Sequence, residues 1–280
     1  YERRNWRMTR QELIKNIEFK KSVLCVGLDP DLSKMPESFS SDSKGVVEFC
    51  KGIIDATAEH AVAFKPNLAF FESLGQQGWE ALAEVADYLK KFPNHFSIAD
   101  AKRGDIGNTS KMYAEGILNK MRFDSITVAP YMGKDSLEPF AIQGKWAIAL
   151  GLTSNSGAHD FQMKRMQDDR YLYEHVMDSY REWTSPEQWM IVVGATRSES
   201  MKKIREQLPD HFFLVPGLGH QGGDIKNVLK SGSFRSGQGV GVLINASRSI
   251  CYAGINEKYA QAASKEALRL HEEIKYYWPR

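Results

Sequence analysis

Eight short apolar runs recur along this 280-residue chain, and their spacing constrains the fold more than any other feature. They read VLCVGLD (23–29), AVAFKPN (61–67), FSIADAK (96–102), SITVAPY (125–131), WAIALGL (146–152), WMIVVGAT (189–196), FFLVPGL (212–218) and GVLINAS (241–247). Most are continuously apolar where they begin, rather than alternating. Strands covered on both faces read this way, as in a parallel sheet.

Segments of helical period lie between them. Val46, Phe49, Cys50, Ile53 and Thr57 fall on one face, and so do Trp79, Leu82, Ala83 and Ala86. Ala114, Ile117, Leu118 and Met121 repeat the pattern, and Ala263, Ala267, Leu270 and Ile274 mark a long final helix. The stretch 133–143 gives the weakest helical signal, because Pro139 interrupts it. Eight strand–helix units in roughly 250 residues is the count of a (β/α)8 barrel. An open doubly wound sheet would carry GxGxxG after its first strand, and none follows here. No Pro/Ser-rich linker divides the chain. The expectation is an α/β protein, a single-domain (β/α)8 TIM barrel over residues 21–280. An N-terminal extension and a leading helix occupy 1–20. Met8 reads as the natural start, with Tyr1 to Arg7 as an upstream extension.

Composition removes several functions. A net charge of +2 is too small for a nucleic-acid stripe or an anionic membrane surface. No run approaches the ~18–20 apolar residues of a membrane span. The charged N-terminus lacks the apolar stretch of a secretory signal, so a cytoplasmic location is expected. Cys25, Cys50 and Cys251 form no CxxC pair and fit free buried thiols in a reducing compartment. The seven histidines form no HExxH or His-x-His cluster, so no catalytic metal is expected.

In a barrel of this kind the C-terminal strand ends carry the active face. The third run reaches that face as FSIADAKRGDIGNT, ending on Asp100, Lys102, Arg103 and Asp105. Alone, Asp-x-Lys-x-x-Asp also fits a solvated turn with a surface ion pair. Strand alternation places Asp100 and Lys102 on one face, with Asp105 in the turn beyond. Lys65 and Asp29 end the two preceding strands and can join them at the mouth. A Schiff-base lysine must be neutral, which calls for desolvation or a cationic neighbour. Lys102 has the opposite surroundings: its carboxylates stabilise the ammonium, a proton donor and a partner for developing negative charge. Asp100 beside it would repel an anionic substrate group, and if that group left as neutral CO2 the repulsion would be relieved.

Two late loops suit a phosphate. PGLGHQGGDIKNVL, after the seventh strand, carries Gly217, Gly219, Gly222 and Gly223 ahead of a helix start. ASRSI, after the eighth, supplies the guanidinium of Arg248. The loops after strands 7 and 8 are the usual phosphate site of the barrel. The loop TSNSGAHDFQMKRMQDD (153–169) is long for a βα connection and reads either as a lid or as a loose insertion. His159 within it reads as a surface or lid residue rather than a base.

DAKRGDIGNT, with GLDPD, FKPNLAFFE, TVAPYMGKDS, PGLGHQGGD and INASRSICYA, resembles the orotidine 5′-phosphate decarboxylase family, and most of all its bacterial second subgroup. The resemblance runs in order from about Val23 to Ala253. It implies a cofactor-free conversion of orotidine 5′-monophosphate (OMP) to uridine 5′-monophosphate (UMP) and CO2 in pyrimidine biosynthesis, with no metal. It implies that Lys102 protonates C6, Asp100 lies beside the departing carboxylate, and Lys65 joins ribose to the charge network. Asp29 would contact a ribose hydroxyl, Ser154 the pyrimidine, and Gln221 and Arg248 the phosphate. Asp105, with Ile106 and Thr109, would reach into a partner's site in a homodimer with shared active sites. Many members have glycine before the phosphate arginine where this chain has Ser247, which bears on the phosphate contacts. Two other readings differ in chemistry: a Mg²⁺-dependent sugar-phosphate decarboxylase or aldolase, and a catalytically inactive phosphate-binding barrel. The second needs Arg248 and the glycine loops but not a lysine between two aspartates.

Overall fold

Eight parallel strands pair in chain order, and the last returns to the first to close a barrel. A computed structural model describes residues 8–195, 198–217, 224–235, 239–254 and 256–279. The strands are β1 (Leu24–Leu28), β2 (Ala63–Pro66), β3 (Phe96–Arg103), β4 (Ser125–Val128), β5 (Trp146–Leu150), β6 (Trp189–Val192), β7 (Phe212–Pro216) and β8 (Val242–Ala246). Each apolar run of the sequence supplies one strand. Nearly every strand residue is buried, because side chains fill the barrel inside and helices cover it outside.

The helices follow in order: α1 (Arg10–Lys20), α2 (Ser43–Thr57), α3 (Leu68–Glu72), α4 (Gln76–Leu89), α5 (Gly107–Ala114) and α6 (Lys134–Leu137). Then come α7 (Leu172–Trp183), α8 (Ser198–Gln207), α9 (Ile225–Gly232), α10 (Arg248–Cys251) and α11 (Tyr259–Tyr276). The stripes expected on α2 and α11 are buried as read. On α4 the face is rotated: Trp79 and Ala83 are exposed, and Ala81, Leu82, Val85, Ala86 and Leu89 pack inward. Gly78 sets this rotation. Its backbone lies so close to the Phe71 carbonyl that a Cβ there would meet the oxygen at 1.7 Å. Past α5 the chain widens into a π-helical turn, Glu115–Lys120, which buries Ile117 and Leu118 and leaves Met121 half-buried. Pro139 confines the 133–143 stretch to α6 and a 3-10 turn, Glu138–Phe140.

One end of the barrel is sealed. Thr9 and Glu12 form a capping box that starts α1, which buries Leu13 and Ile17. Trp146 donates its indole N–H to the Met8 carbonyl at 2.7 Å, and Asn16 donates to the Asn94 carbonyl at 3.0 Å. Lys20 donates to the carbonyls of Ala58 and Ala61. All these partners begin or precede strands, so α1 lies across the N-terminal end. Nearby, the buried Arg205 guanidinium donates to the carbonyls of Leu208, Pro209, His211, Gly232 and Gly241, tying α8 and α9 to the barrel. The opposite end is left for a site.

Two histidines at the sealed end are held neutral. Burial pushes His95 and His211 down to about 4, from an ordinary 6.5. The cations Lys20 and Arg205 respectively add to the effect. The unfolded chain therefore takes up these protons first as pH falls. The stability they confer is fully present above pH 6.5 and drains away down to about pH 4. Thermal unfolding across this window should show a falling Tm with net proton uptake on unfolding. A Tm constant down to pH 4 would contradict this reading.

Candidate active site

The open end of the barrel is organised by the end of β3. Ala99 pairs with Ile126, and the next pairing is Arg103 with Val128, so Asp100, Ala101 and Lys102 face Thr127 alone. This bulge interrupts the alternation on which the sequence reading relied. Asp100 and Lys102 still meet, but by a different route: Lys102 takes a left-handed backbone conformation, φ 48°, uncommon for a residue with a Cβ. Its Nζ then lies 2.6 Å from Asp100 Oδ1. Lys65 Nζ, from β2, lies 2.6 Å from Asp100 Oδ2. The Asp100 carboxylate thus bridges two ammonium groups.

The two lysines differ in their surroundings. The side chain of Lys65 is 6% exposed and that of Asp100 is 10% exposed, whereas that of Lys102 is 52% exposed at the barrel mouth. Burial alone would push Asp100 up, but Lys65 and Lys102 outweigh it and hold the carboxyl well below the usual range. Burial likewise opposes the Lys65 ammonium, while Asp100 and Asp29 overcome it and raise Lys65 above an ordinary lysine. Burial pushes Asp29 up, against Lys65 and hydrogen bonds from Ser247 and Asn67. Asp29 Oδ1 and Asn245 Oδ1 are buried without a hydrogen-bond partner among the described residues. Each is an acceptor available to a ligand hydroxyl or N–H.

The remaining sequence-derived residues divide. Asp105 is half-buried and accepts the Ile106 N–H at 2.8 Å. Among the described residues it makes no ion pair, so it does not join the Lys102 network within one chain. Ile106 (61% exposed) and Thr109 are displayed outward at the start of α5. Ser154 follows β5, packed against the backbone of Gly194 at the end of β6. The loop around it is folded rather than loose: the side chain of Gln162 bonds Thr153 N and Oγ1, and Ala158 is buried. Arg248 opens α10 just past β8 and is exposed. Gln221, with Gly219, Gly222 and Gly223, lies outside the described residues.

Ser247 is turned toward β1. It accepts from Asn245 Nδ2 at 3.2 Å, and a Cβ on Gly27 would meet its Oγ at 1.9 Å. Its bulk is therefore taken up against Gly27. Sequence reasoning missed Thr127, Asn67 and Asn245, which are uncharged and lie within the runs read as strands. A polar residue inside an apolar run was the available signal. The three cysteines are free and buried, and burial pushes Cys25 and Cys251 up to about 12, so both remain thiols at neutral pH. Among the described residues, no three His, Cys, Asp or Glu side chains group as a metal site requires.

Comparison with known proteins agrees with this geometry. Residues 22–263 match the pattern of the orotidine 5′-phosphate decarboxylase / HUMPS family. The chain is 47% identical over 269 residues to an orotidine 5′-phosphate decarboxylase of Bacteroides fragilis, covering 95% of this chain and 97% of that one. It is 48% identical to the orotidine 5′-phosphate decarboxylase of Flavobacterium johnsoniae, with 95% and 97% covered. The solved structure of Leishmania donovani OMP decarboxylase superposes with a TM-score of 0.80 at 36% identity, covering 96% of this chain and 99% of that one.

The unequal burial of the lysines has a direct consequence. Lys65→Ala leaves Asp100 with only its half-exposed partner Lys102, takes the nearest cation from Asp29, and should cost roughly 3–5 kcal/mol of stability. Lys102→Ala removes a half-exposed partner and should cost no more than about 1 kcal/mol. Chemical denaturation of both variants checks this, and equal losses would contradict the assignment of Lys65 as the buried counter-charge.

Proposed function

The chain belongs to the orotidine 5′-phosphate decarboxylase / HUMPS family and is a carboxy-lyase, and we propose that it converts OMP to UMP and CO2 without a cofactor, using Lys102 to protonate C6. The observation that carries this reading is the Lys102 ammonium, 2.6 Å from a carboxylate that Lys65 anchors from the other side. Asp100, held ionised, lies beside the carboxylate of bound OMP. The C6–carboxylate bond breaks, CO2 leaves, and its electron pair stays on C6 in the ring plane. Lys102 Nζ gives that carbon a proton, forming the C6–H of UMP, and recovers its own from solvent.

One donor of this kind supplies roughly 3–4 kcal/mol. The largest enzymatic accelerations need on the order of 20 kcal/mol, so the remainder is drawn from binding of the nonreacting parts of the substrate. Arg248 and Gln221 hold the phosphate, Asp29 accepts from a ribose hydroxyl, Lys65 braces the network from the ribose side, and Ser154 contacts the pyrimidine. The unpartnered Oδ1 of Asp29 supports its role as acceptor.

The active form is a homodimer in which Asp105, Ile106 and Thr109 serve the neighbouring site. Two features support this: Asp105 makes no ion pair of its own among the described residues, and exposed Ile106, Met112, Tyr113, Tyr131 and Met132 follow adjacent strands. Such a concentration of exposed apolar side chains suits an interface. A cytoplasmic location agrees with the three free thiols. No helix of the described residues is long and apolar enough to cross a membrane.

Lys102→Ala should abolish decarboxylation of OMP, followed spectrophotometrically, while UMP still binds by calorimetry. Substantial retained turnover would remove Lys102 from its role. Arg248→Ala should lower kcat/KM roughly 10- to 100-fold, the loss of a charged hydrogen bond. An unchanged kcat/KM would exclude Arg248 from the phosphate site.

A further inference from the structure

We propose that Thr127 is a positioning residue for the decarboxylation: its single hydroxyl fixes the backbone turn at Lys102 and the carboxylate that holds the Lys102 ammonium. The inference rests on the assignment of Lys102 above.

A hydroxyl has one proton to donate and two lone pairs. Thr127 uses all three. Its Oγ1 donates to Asp100 Oδ1 at 3.0 Å and accepts the backbone N–H groups of Ala101 and Lys102, each at 2.9 Å. The residue is 1% exposed, so the hydroxyl itself is shielded from water.

The bulge creates the need. Three residues of β3 stand opposite one residue of β4, so the ladder cannot satisfy the N–H groups of Ala101 and Lys102 from backbone carbonyls. Buried amides without partners are rare because they are costly. One side-chain oxygen replaces the missing carbonyls. The same turn places Lys102 at φ 48°, where a side chain is disfavoured. A second anchor supports it from the other side, where Arg103 Nη1 donates to the Ala101 carbonyl at 2.9 Å while pairing with Glu72. The β-branched threonine also has few side-chain rotamers, so its oxygen is held in place.

Valine would fill the same volume and suit the apolar run SITVAPY. It would leave both amides unpaired and remove one donor from Asp100. The ammonium would then be aimed less closely at the reacting carbon. Substrate binding groups elsewhere would be unaffected, so the loss should fall on kcat.

The test compares Thr127→Val, Thr127→Ala and Thr127→Ser with the parent enzyme, with folding verified by circular dichroism. Val and Ala should lower kcat on the order of 10- to 100-fold, the scale of a small misplacement, with KM for OMP and Kd for UMP within about twofold. Ser, which keeps the oxygen, should restore most of the activity. The idea is overturned if Val keeps the parent kcat, if UMP affinity falls along with kcat, or if Ser is as slow as Val. It is also overturned if neither Val nor Ala folds, since the hydroxyl would then serve stability. Lys102→Ala, run alongside, separates the two assignments. An active Lys102→Ala enzyme removes the role of Lys102 itself, whereas an inactive one beside an unimpaired Thr127→Val removes only that of Thr127.

Discussion

A carboxylate held between two ammonium groups, in a place mostly closed to water, is the constraint on which the rest of the site depends. Asp100 is 10% exposed and has Lys65 on one oxygen and Lys102 on the other. Neither pairing is cheap to build. Burial opposes both Asp100 and Lys65; Lys65 and Lys102 together hold Asp100 ionised, and Asp100 with Asp29 holds Lys65 charged. Buried pairs of this kind contribute little net stability. Their value is geometric: a charge with no freedom to relax toward solvent is a fixed reference for a reacting group. Lys102 is the outer member, half-exposed at the barrel mouth and held at one end by Asp100.

The two ends of the barrel divide the work. At the sealed end, α1 and the carbonyl cluster around Arg205 spend their polar groups on the protein itself. His95 and His211 are held neutral there, which links stability to pH far from the chemistry. At the open end, polar groups are left over: Asp29 Oδ1 and Asn245 Oδ1 lack partners among the described residues, and Arg248 stands exposed at the start of α10. The unpartnered acceptors at the open end lie among the charged residues of the site. Ser247 fits this arrangement, since Gly27 makes room for it and its hydroxyl faces Asn245 and Asp29 rather than the outside.

Much of this was legible in the sequence. The eight apolar runs became eight strands because continuous apolar character reports burial on both faces, whatever the partner strand. Lys65, Asp100 and Lys102 were found because charge at the end of an apolar run is conspicuous. The bulge was not legible, since it depends on how β3 is paired rather than on β3 itself, and the expected face-sharing of Asp100 and Lys102 arises through a left-handed residue instead of alternation. Thr127 escaped notice for a related reason: a threonine in a strand is ordinary until the amides opposite it lose their partners. The rotation of α4 was set by the approach of Gly78 to a carbonyl, a contact that no periodicity records. Asp105, read as part of the charge network, stands apart from it within one chain because its carboxylate turns back to the Ile106 N–H.

The whole site turns on where the Lys102 ammonium sits when the substrate is bound. A crystal structure of the enzyme with UMP measures this directly. Lys102 Nζ should lie on the order of 3–3.5 Å from C6 of the pyrimidine, with Asp100 still bonded to it and to Lys65. A complex in which the Lys102 side chain swings into solvent, away from the ring, would contradict it.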